Sequence, residues 1–380
     1  MNQDAVVTAS ARTLPDLASR ALGGSVVAAN DELFAERENL IKAEPPVFQP
    51  HTFGPKGQIM DGWETRRRRE PGSDYAIVRL GCPGIVRSIV VDTSFFTGNY
   101  PPEVSVDACG IEGYPEPSTI ASGDWTPLVA RTRIAGDTIN EFEITAQERF
   151  THVRLTIFPD GGVARLRVHG EVVLDPRALP GTFDLAACES GARIAGCSNM
   201  FYSSPSNLIM PGNARSMGDG WETSRRRDDG NDWVEVQLAC PGRVEIAELD
   251  TSCFVGNAPG WARLSDGADR VLLERTALTP DTRHRFVLDD DASVERVRMD
   301  IYPDGGMARL RLYGTPSPQA RIELAQRFLA GLPGSQLVEV LVGAGQPRAE
   351  AEALAAGRSI AFGDLPESAQ HRLAGIRAAR

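Results

Sequence analysis

Short apolar runs recur along most of the chain, and few are long enough for a helix. The segment DYAIVRLGCPGIVRSIVVDTSFF, which starts at Asp74, is rich in Val, Ile and Leu and is interrupted by Cys-Pro-Gly. This is the pattern of two strands joined by a turn. In VRLTIFPDGGVARLRVHG, two alternating runs flank Pro-Asp-Gly-Gly, which predicts a β-hairpin because glycine adopts positive φ readily. The pattern predicts an all-β fold of jelly-roll β-sandwich type.

The two ends of the chain have a different pattern. LPDLASRAL, near Leu14, has the spacing of a short helix. From about Pro318 the chain is rich in Ala, Leu, Glu and Arg, and IELAQRFLAGL, SQLVEVLVGA and AEAEALAAG have helical spacing. These segments predict a short helical C-terminal appendage.

An internal repeat defines the organisation of the chain. DGWETRRRR at 61–69 returns 158 residues later as DGWETSRRR, and RLTIFPDGGVARLRVHG at 154–170 returns 144 residues later as RMDIYPDGGMARLRLYG. Two tandem copies, each the size of one domain, are therefore expected, and the second lacks 14 residues between these motifs. The predicted segments are an N-terminal extension (1–20), a first β-sandwich repeat (21–176), a linker (177–190), a second β-sandwich repeat (191–316) and a helical tail (317–380).

Charge and composition exclude several classes of partner. The chain has 40 basic and 51 acidic residues, a formal charge of −11, so neither nucleic acid nor an anionic membrane is an expected partner. No apolar stretch approaches the ~20 residues of a membrane span, and no secretory signal is recognisable, so a cytoplasmic location is expected. The six cysteines have no CxxC spacing and are expected to be buried free thiols.

The DGWET segments concentrate charged residues that are poorly suited to a core strand, so they are expected on loops. Arginine can donate two parallel hydrogen bonds to a carboxylate ligand, and nearby acids can accept from amide or ureido NH₂ groups. An internal network of salt bridges is the alternative interpretation. The candidate ligand-binding arginines, present in both copies, are Arg67, Arg68, Arg225 and Arg226.

The PDGG turns supply Asp160 and Asp304, which are either turn formers or ligand contacts. Asn99 and Asn257 each follow a glycine and are expected to be turn residues. The five histidines have no metal-ligand spacing, so an all-histidine metal site is poorly supported. A carboxylate-rich site for Mn²⁺ or a similar divalent ion remains an alternative, and the cofactor is otherwise unknown. Motifs for a serine hydrolase, a phosphate-binding loop or a dinucleotide are absent from the sequence.

The phrases DGWETRRRR, DTSFFTGNYPPEVSV, IFPDGGVARLRVHG, GDGWETSRRR and DTSCFVGNAP resemble the two repeats of the allantoicase family. The resemblance covers about residues 20 to 315, and the tail from Pro318 departs from it. It implies a pair of jelly-roll domains and the hydrolysis of allantoate to ureidoglycolate and urea. A small-molecule substrate, allantoate, is then the expected partner, and a homo-oligomer is a further expectation.

The implied substrate has one carboxylate and two ureido groups, so the arginines above would bind its carboxylate. The candidate acid/base or metal-site groups are Glu64, Glu222, Asp61 and Asp219. Whether there is one site per copy, one between copies or one active copy stays open. The replacement of Arg66 by Ser224 and the missing 14 residues favour a single active copy or a composite site. The rival function is non-enzymatic binding of a carbohydrate or other small polar ligand, with Trp63 and Trp221 as stacking platforms.

Overall fold

The structure is a computed structural model that describes residues 14–357 and 362–375. The chain forms two compact units. The unit built on the first repeat, here the first module, comprises 16–173 and 329–357. The unit built on the second repeat, the second module, comprises 14–15, 174–328 and 362–375. Part of the tail therefore belongs to each unit.

The first module is an antiparallel β-sandwich. Its one α-helix among the described residues of the repeat is α1 (Pro117–Ala121). Its strands are β1 (Ser25–Ala29), β2 (Phe53–Gly54), β3 (Gly57–Gln58), β4 (Trp63–Glu64), β5 (Asp74–Asp92), β6 (Glu103–Cys109), β7 (Thr126–Arg133), β8 (Ile139–Glu143), β9 (Arg149–Phe158), β10 (Gly162–Val163) and β11 (Arg165–Val172). The short helical turns in this part are 3₁₀, at Arg20–Leu22 and Arg37–Ile41.

Strand β5 organises the module because it pairs with four other strands. Its first half pairs with β1 and β9, its second half pairs with β8 and β11, and the register with β9 is interrupted between Arg79 and Gly84. The turn predicted at Cys-Pro-Gly is not a separate element, because β5 is continuous through it; the chain nevertheless reverses direction there as it changes partners. Asp74 and Asp92, the two ends of β5, therefore lie at the same end of the module as the PDGG loop, which we call the site end. Gly84 lies at the opposite, far end.

The core follows from alternation along the strands. Val104, Val106 and Ala108 of β6 are fully buried, as are Leu155 and Ile157 of β9. Every second side chain of a strand faces the same side, so these strands cover one face with apolar groups. The expected all-β sandwich architecture is confirmed.

The PDGG segment is not the turn of a hairpin. Strands β9 and β11 each pair with β5, and neither pairs with the other within the described residues. The loop instead carries the chain from one part of the sandwich to another, and its glycines form β10, which pairs with β4 of the DGWET segment. This pairing brings the two repeated motifs together.

The second module repeats this arrangement around β15. Its strands are β12 (Phe183–Asp184), β13 (Arg193–Cys197), β14 (Trp221–Glu222), β15 (Asp232–Asp250), β16 (Trp261–Asp266), β17 (Val271–Ala277), β18 (Arg283–Val287), β19 (Ser293–Tyr302), β20 (Gly306–Met307) and β21 (Arg309–Pro316). Strand β12 lies within the predicted linker 177–190 and pairs with β21, so part of that segment belongs to the second sheet. The 3₁₀ turns are Pro176–Ala178, Cys188–Ser190, Pro205–Ile209 and Met217–Asp219.

The tail is helical, as expected. Its elements are α2 (Pro318–Gly331), α3 (Gly334–Gly343), α4 (Arg348–Gly357), a 3₁₀ turn (Phe362–Asp364) and α5 (Glu367–Leu373). The helix expected in LPDLASRAL reduces to the 3₁₀ turn at Arg20–Leu22, because Asp16 already forms a bridge with His169 of β11. The rest of the predicted N-terminal extension, 1–13, lies outside the described residues.

All six cysteines are free thiols, and five are buried; Cys253 is partly exposed. In the ranges 14–357 and 362–375, none of the helices has both the length and the apolar character that a membrane crossing requires.

Candidate active site

Three loop segments meet at the site end of the first module. The Thr65 N–H donates to the carbonyl oxygen of Gly161 (3.1 Å), and the Gly162 N–H donates to that of Asn99 (2.7 Å). The β4–β10 pair thus holds the DGWET and PDGG motifs together, and Asn99 adds a third segment. Three separate stretches of sequence form one surface.

Close approach explains the paired glycines of the PDGG loop. Gly161 has φ of 144°, and a Cβ there would lie 2.6 Å from the Pro101 nitrogen. A Cβ on Gly162 would lie 2.0 Å from the Phe96 ring. Only glycine lets the backbone pass this close to its neighbours.

The carboxylate of Glu64 has no cationic partner in the part of the chain that the structure describes. It accepts a hydrogen bond from Asn99 Nδ2 at 2.7 Å and is half-buried. Burial raises the pKa of Glu64 above its ordinary value, and the Asn99 bond offsets part of that rise. A carboxyl group with a raised pKa and one fixed oxygen suits proton transfer.

Asp61 lies two residues before Trp63 and has a different role. Its carboxylate accepts from Lys42 Nζ (2.9 Å), the Val47 N–H (3.0 Å) and Arg165 Nη2 (2.6 Å). Burial raises the pKa of Asp61, but these three donors together outweigh burial and lower it to about 2. Such a group stays ionised and anchors the loop, so it is a poor candidate for acid/base chemistry.

Arg68 is held by acids of the protein itself. Its guanidinium donates to Asp74 (2.6 Å), whose side chain is 1% exposed, and its backbone N–H donates to Asp160 Oδ2 (2.8 Å). For Arg68 and Asp160 the geometry therefore matches the salt-bridge and turn alternatives better than substrate binding.

Arg67 points to solvent, and among residues 14–357 and 362–375 it has no hydrogen-bond or ion-pair partner. Its neighbour Arg66 is paired with Asp31 through its side chain, and its backbone N–H also donates to Asp31 (2.9 Å). Of the candidate arginines in this module, Arg67 is the one whose fork is available to a ligand.

The tryptophan of the motif is a structural anchor. Trp63 is fully buried, and its indole Nε1 donates to the Asp31 carbonyl oxygen at 2.8 Å. Trp221 is equally buried and bonds to the Asn199 carbonyl in the same way. Neither buried ring can stack on a sugar. The alternative function, carbohydrate binding on tryptophan stacking platforms, therefore loses its structural basis.

The second module places the matching residues in the same contacts. Asn257 Nδ2 donates to Glu222 at 2.6 Å, and the Arg226 N–H donates to Asp304 at 2.8 Å. Arg226 is also paired with the buried Asp232 (3.0 Å). Asp219 accepts from the backbone N–H of Arg215, which, with the Arg215 side chain, lowers the pKa of Asp219. Arg225 is exposed and, like Arg67, without a partner in the described residues.

Two pairs of residues at these sites were missed from the sequence. Asn99 and Asn257 were expected only as turn residues, yet each positions a glutamate. Arg165 and Arg309, the first residues of β11 and β21, are buried arginines that donate to backbone carbonyls of the DGWET loops. The sequence did contain a signal for these residues, because each pair occupies matching positions in the two copies.

A divalent metal requires several converging ligands. In the residues that the structure describes, no three His, Cys, Asp or Glu side chains come together in a metal-ligating group. The donors at the Glu64 surface are one carboxylate and one carboxamide, which do not fit a Mn²⁺ site made by three or more side chains.

These features define a class of protein: a tandem β-sandwich protein that presents a carboxylate, an amide and an exposed arginine on loops at one end of each module, suited to a small polar molecule. A family model described as Allantoicase repeat matches residues 15–173 and 183–317. The chain belongs to the allantoicase family, as its motifs led us to expect.

Relatives and a solved structure agree with this assignment. The chain is 60% identical over 309 residues to a probable allantoicase of Nocardia farcinica, covering 79% of this chain and 94% of the relative. It is 50% identical over 331 residues to a probable allantoicase of Streptomyces coelicolor, covering 82% and 88%. The crystal structure of allantoicase from Saccharomyces cerevisiae is similar with a TM-score of 0.71 and 33% identity, covering 79% of this chain and 92% of that one. The family match ends at residue 317, just before α2.

Proposed function

We propose that this chain hydrolyses allantoate to ureidoglycolate and urea, in purine degradation, and that the Glu64 surface of the first module is a site of this reaction. Membership of the allantoicase family supports the reaction. One observation carries the choice of site: Glu64 is half-buried and free of cations in the described structure, has a raised pKa, and is fixed by Asn99 beside the loop that bears Arg67.

The products define which bond breaks. Urea leaves intact, so the bond cleaved joins the central carbon to one ureido nitrogen, and the oxygen of water ends on the central carbon. One proton of water must reach the departing nitrogen. In our proposal the ionised Glu64 carboxylate accepts that proton and delivers it to the leaving group, which balances the reaction without a further reagent.

The remaining groups bind and orient the substrate. Arg67, whose guanidinium has no partner among the described residues, can hold the substrate carboxylate through two parallel hydrogen bonds. Asn99 donates through Nδ2 to Glu64, which leaves its Oδ1 as an acceptor for a ureido N–H. Because the donor set does not fit a three-ligand metal site, no step is assigned to an ion.

The test is to incubate the purified chain with allantoate and to measure urea and ureidoglycolate in equal amounts, with and without a chelator. We expect both products in both conditions. No urea in either condition would refute the enzymatic function and return the carbohydrate- or ligand-binding alternative. Activity that a chelator abolishes and Mn²⁺ restores would replace Glu64 by a metal ion as the activator of water.

We further propose that the chain acts in the cytoplasm and forms a homo-oligomer. Six free thiols suit a reducing compartment. Exposed apolar side chains near the second site, Phe201, Tyr202 and Val255, are more than 60% exposed and suit burial against another copy. Cell fractionation and sedimentation velocity test these two points, and a purely monomeric chain would contradict the second.

A further inference from the structure

The second module carries its own copy of the DGWET and PDGG motifs, which can form either a second functional site or a purely structural frame. We infer that the second module holds a second, independent site for a ureido substrate, in which Glu222, Asn257 and Arg225 take the places of Glu64, Asn99 and Arg67. This inference rests on the proposed function of the first module.

The reacting group and its holder are reproduced at the same distances. Asn257 Nδ2 lies 2.6 Å from Glu222, against 2.7 Å for the pair in the first module. The Asn257 carbonyl accepts from the Gly306 N–H at 2.8 Å, against 2.7 Å. No cation is paired with the Glu222 carboxylate in the described part of the chain. A group retained only for folding would not need to keep a carboxylate free of cations.

The frame of the site is reproduced as well. Thr223 exchanges hydrogen bonds with Gly305 (3.2 and 3.1 Å), as Thr65 does with Gly161. Gly306 packs on the Phe254 ring, where a Cβ would approach to 1.9 Å. The loop positions that carry Glu222 and Asn257 are therefore fixed by the same backbone contacts.

The replacement of Arg66 by Ser224 is compensated. Arg66 pairs with Asp31 in the first module, whereas Asn199 occupies the place of Asp31 in the second and donates to Ser224 Oγ at 2.6 Å. An ion pair has become a neutral pair, and the bond from the backbone N–H of the motif residue to this neighbouring side chain is kept: Arg66 to Asp31 in the first module, Ser224 to Asn199 in the second. The local charge is unchanged, so this substitution is no sign of a lost site.

The missing 14 residues also leave the site untouched. The connection between β6 and β7 is 110–125 and includes α1, whereas that between β16 and β17 is only 267–270. Both connections lie at the far end, because Cys109 is opposite His152 and Asp266 is opposite Val297. Most of the deletion is thus removed from the reacting groups by the length of a strand.

One difference does lie at the site end. The segment between the Asn-Leu-Ile motif and DGWET spans 42–60 in the first module and only 210–218 in the second. The longer one carries β2 and β3 with the exposed Phe53. It borders Asp61, whose anchoring bonds also differ. We therefore expect the two sites to share their chemistry and to differ in KM.

The inference is tested with E64Q, E222Q and the double variant. Glutamine keeps the oxygen that accepts from asparagine and removes only the charge, so the loops should stay in place. The matched controls are E143Q in β8 and E274Q in β17, both exposed and outside the proposed sites. Urea formation gives kcat and KM, and thermal melting checks that each variant is folded.

We expect each single variant to keep a substantial fraction of wild-type kcat, with different KM values, and the double variant to lose activity by about 100-fold or more. If E64Q alone removes activity and E222Q leaves it unchanged, the second site is refuted while the proposed function stands. If each single variant removes activity, the glutamates serve one reaction and independence is refuted. A fully active double variant would refute both the second site and the assignment of Glu64.

Discussion

At the scale of single residues, neighbours decide which acid of DGWET is reactive. Asp61 and Glu64 lie three positions apart, and both were candidates. Three donors from distant segments fix Asp61 as an anion, whereas within the described residues the Glu64 carboxylate accepts from a neutral carboxamide alone. The sequence contains the residue types but not these partners, since Lys42, Arg165 and Asn99 reach the motif only through the fold. Candidate residues could be predicted; their division into anchors and reactive groups could not.

The Asn99→Ala variant tests how Glu64 is tuned. The Asn99 bond opposes the rise that burial causes, so its loss should move the pKa of Glu64 further upward. A base works only when ionised, and activity is lost as pH falls through its pKa. We therefore expect the acid limb of the kcat/KM profile to move to higher pH, measured in an E222Q background so that one site reports. An unshifted limb with unchanged kcat would show that Asn99 does not act on Glu64.

The Asp61→Asn variant tests the anchor. The pKa of Asp61 is about 2 in the folded protein, below its ordinary 3.8, so its ionised form stabilises the fold above pH 4, and this contribution is lost as pH falls through 2. Allowing for solvent screening, we expect D61N to lower the free energy of unfolding by about 1 kcal/mol at neutral pH. Guanidinium denaturation at pH 7 and pH 3 measures this, and an equal loss at both values would argue against an ionic cause.

At the scale of elements, alternation predicted strands well and their partners poorly. The runs that became β9 and β11 were recognised, but the PDGG turn between them suggested a hairpin. Each strand pairs with β5 instead. Alternation of apolar and polar residues indicates which face of a strand is buried, and a turn motif indicates only that the chain changes direction. The local sequence does not indicate which strand sixty or more residues away will be the partner. This long-range pairing with β5 brings the loops of the site end together.

The Gly162→Ala variant tests the loop contact. The new Cβ would lie 2.0 Å from the Phe96 ring, so the ring or the loop that bonds to Asn99 must move. We expect a loss of about 1 to 3 kcal/mol in unfolding free energy and a lower kcat in an E222Q background. Gly98→Ala is the matched control, because a Cβ there meets open space. Equal behaviour of the two variants would show that the close contact has no importance.

At the scale of the whole molecule, the sequence showed the duplication but not where the copies differ in space. The 14 missing residues favoured unequal modules as long as their place was unknown. The structure puts most of them at the far end and gives Ser224 a matching Asn199. A difference between the copies argues against function only where it changes the surroundings of the reacting groups. The fold is needed to tell where each difference lies.

Removal of the tail tests whether it has a part in the reaction. In the first module, Gln336 accepts from the Glu112 N–H (3.1 Å), and Pro333 lies beside Gly110. These contacts are at the far end, about 30 Å along β9 from the PDGG loop at ~3.3 Å per residue. We expect a chain ending at Ser317 to melt at a lower temperature with unchanged kcat/KM. A folded, truncated chain without activity would give the tail a catalytic role.

The central claim is that allantoate is hydrolysed at the glutamates of the two DGWET motifs. It is tested most directly by comparing urea release from allantoate by the wild type and by the folded E64Q/E222Q double variant. The account predicts rapid release by the wild type and a rate at least about 100-fold lower for the double variant. Equal rates would contradict it.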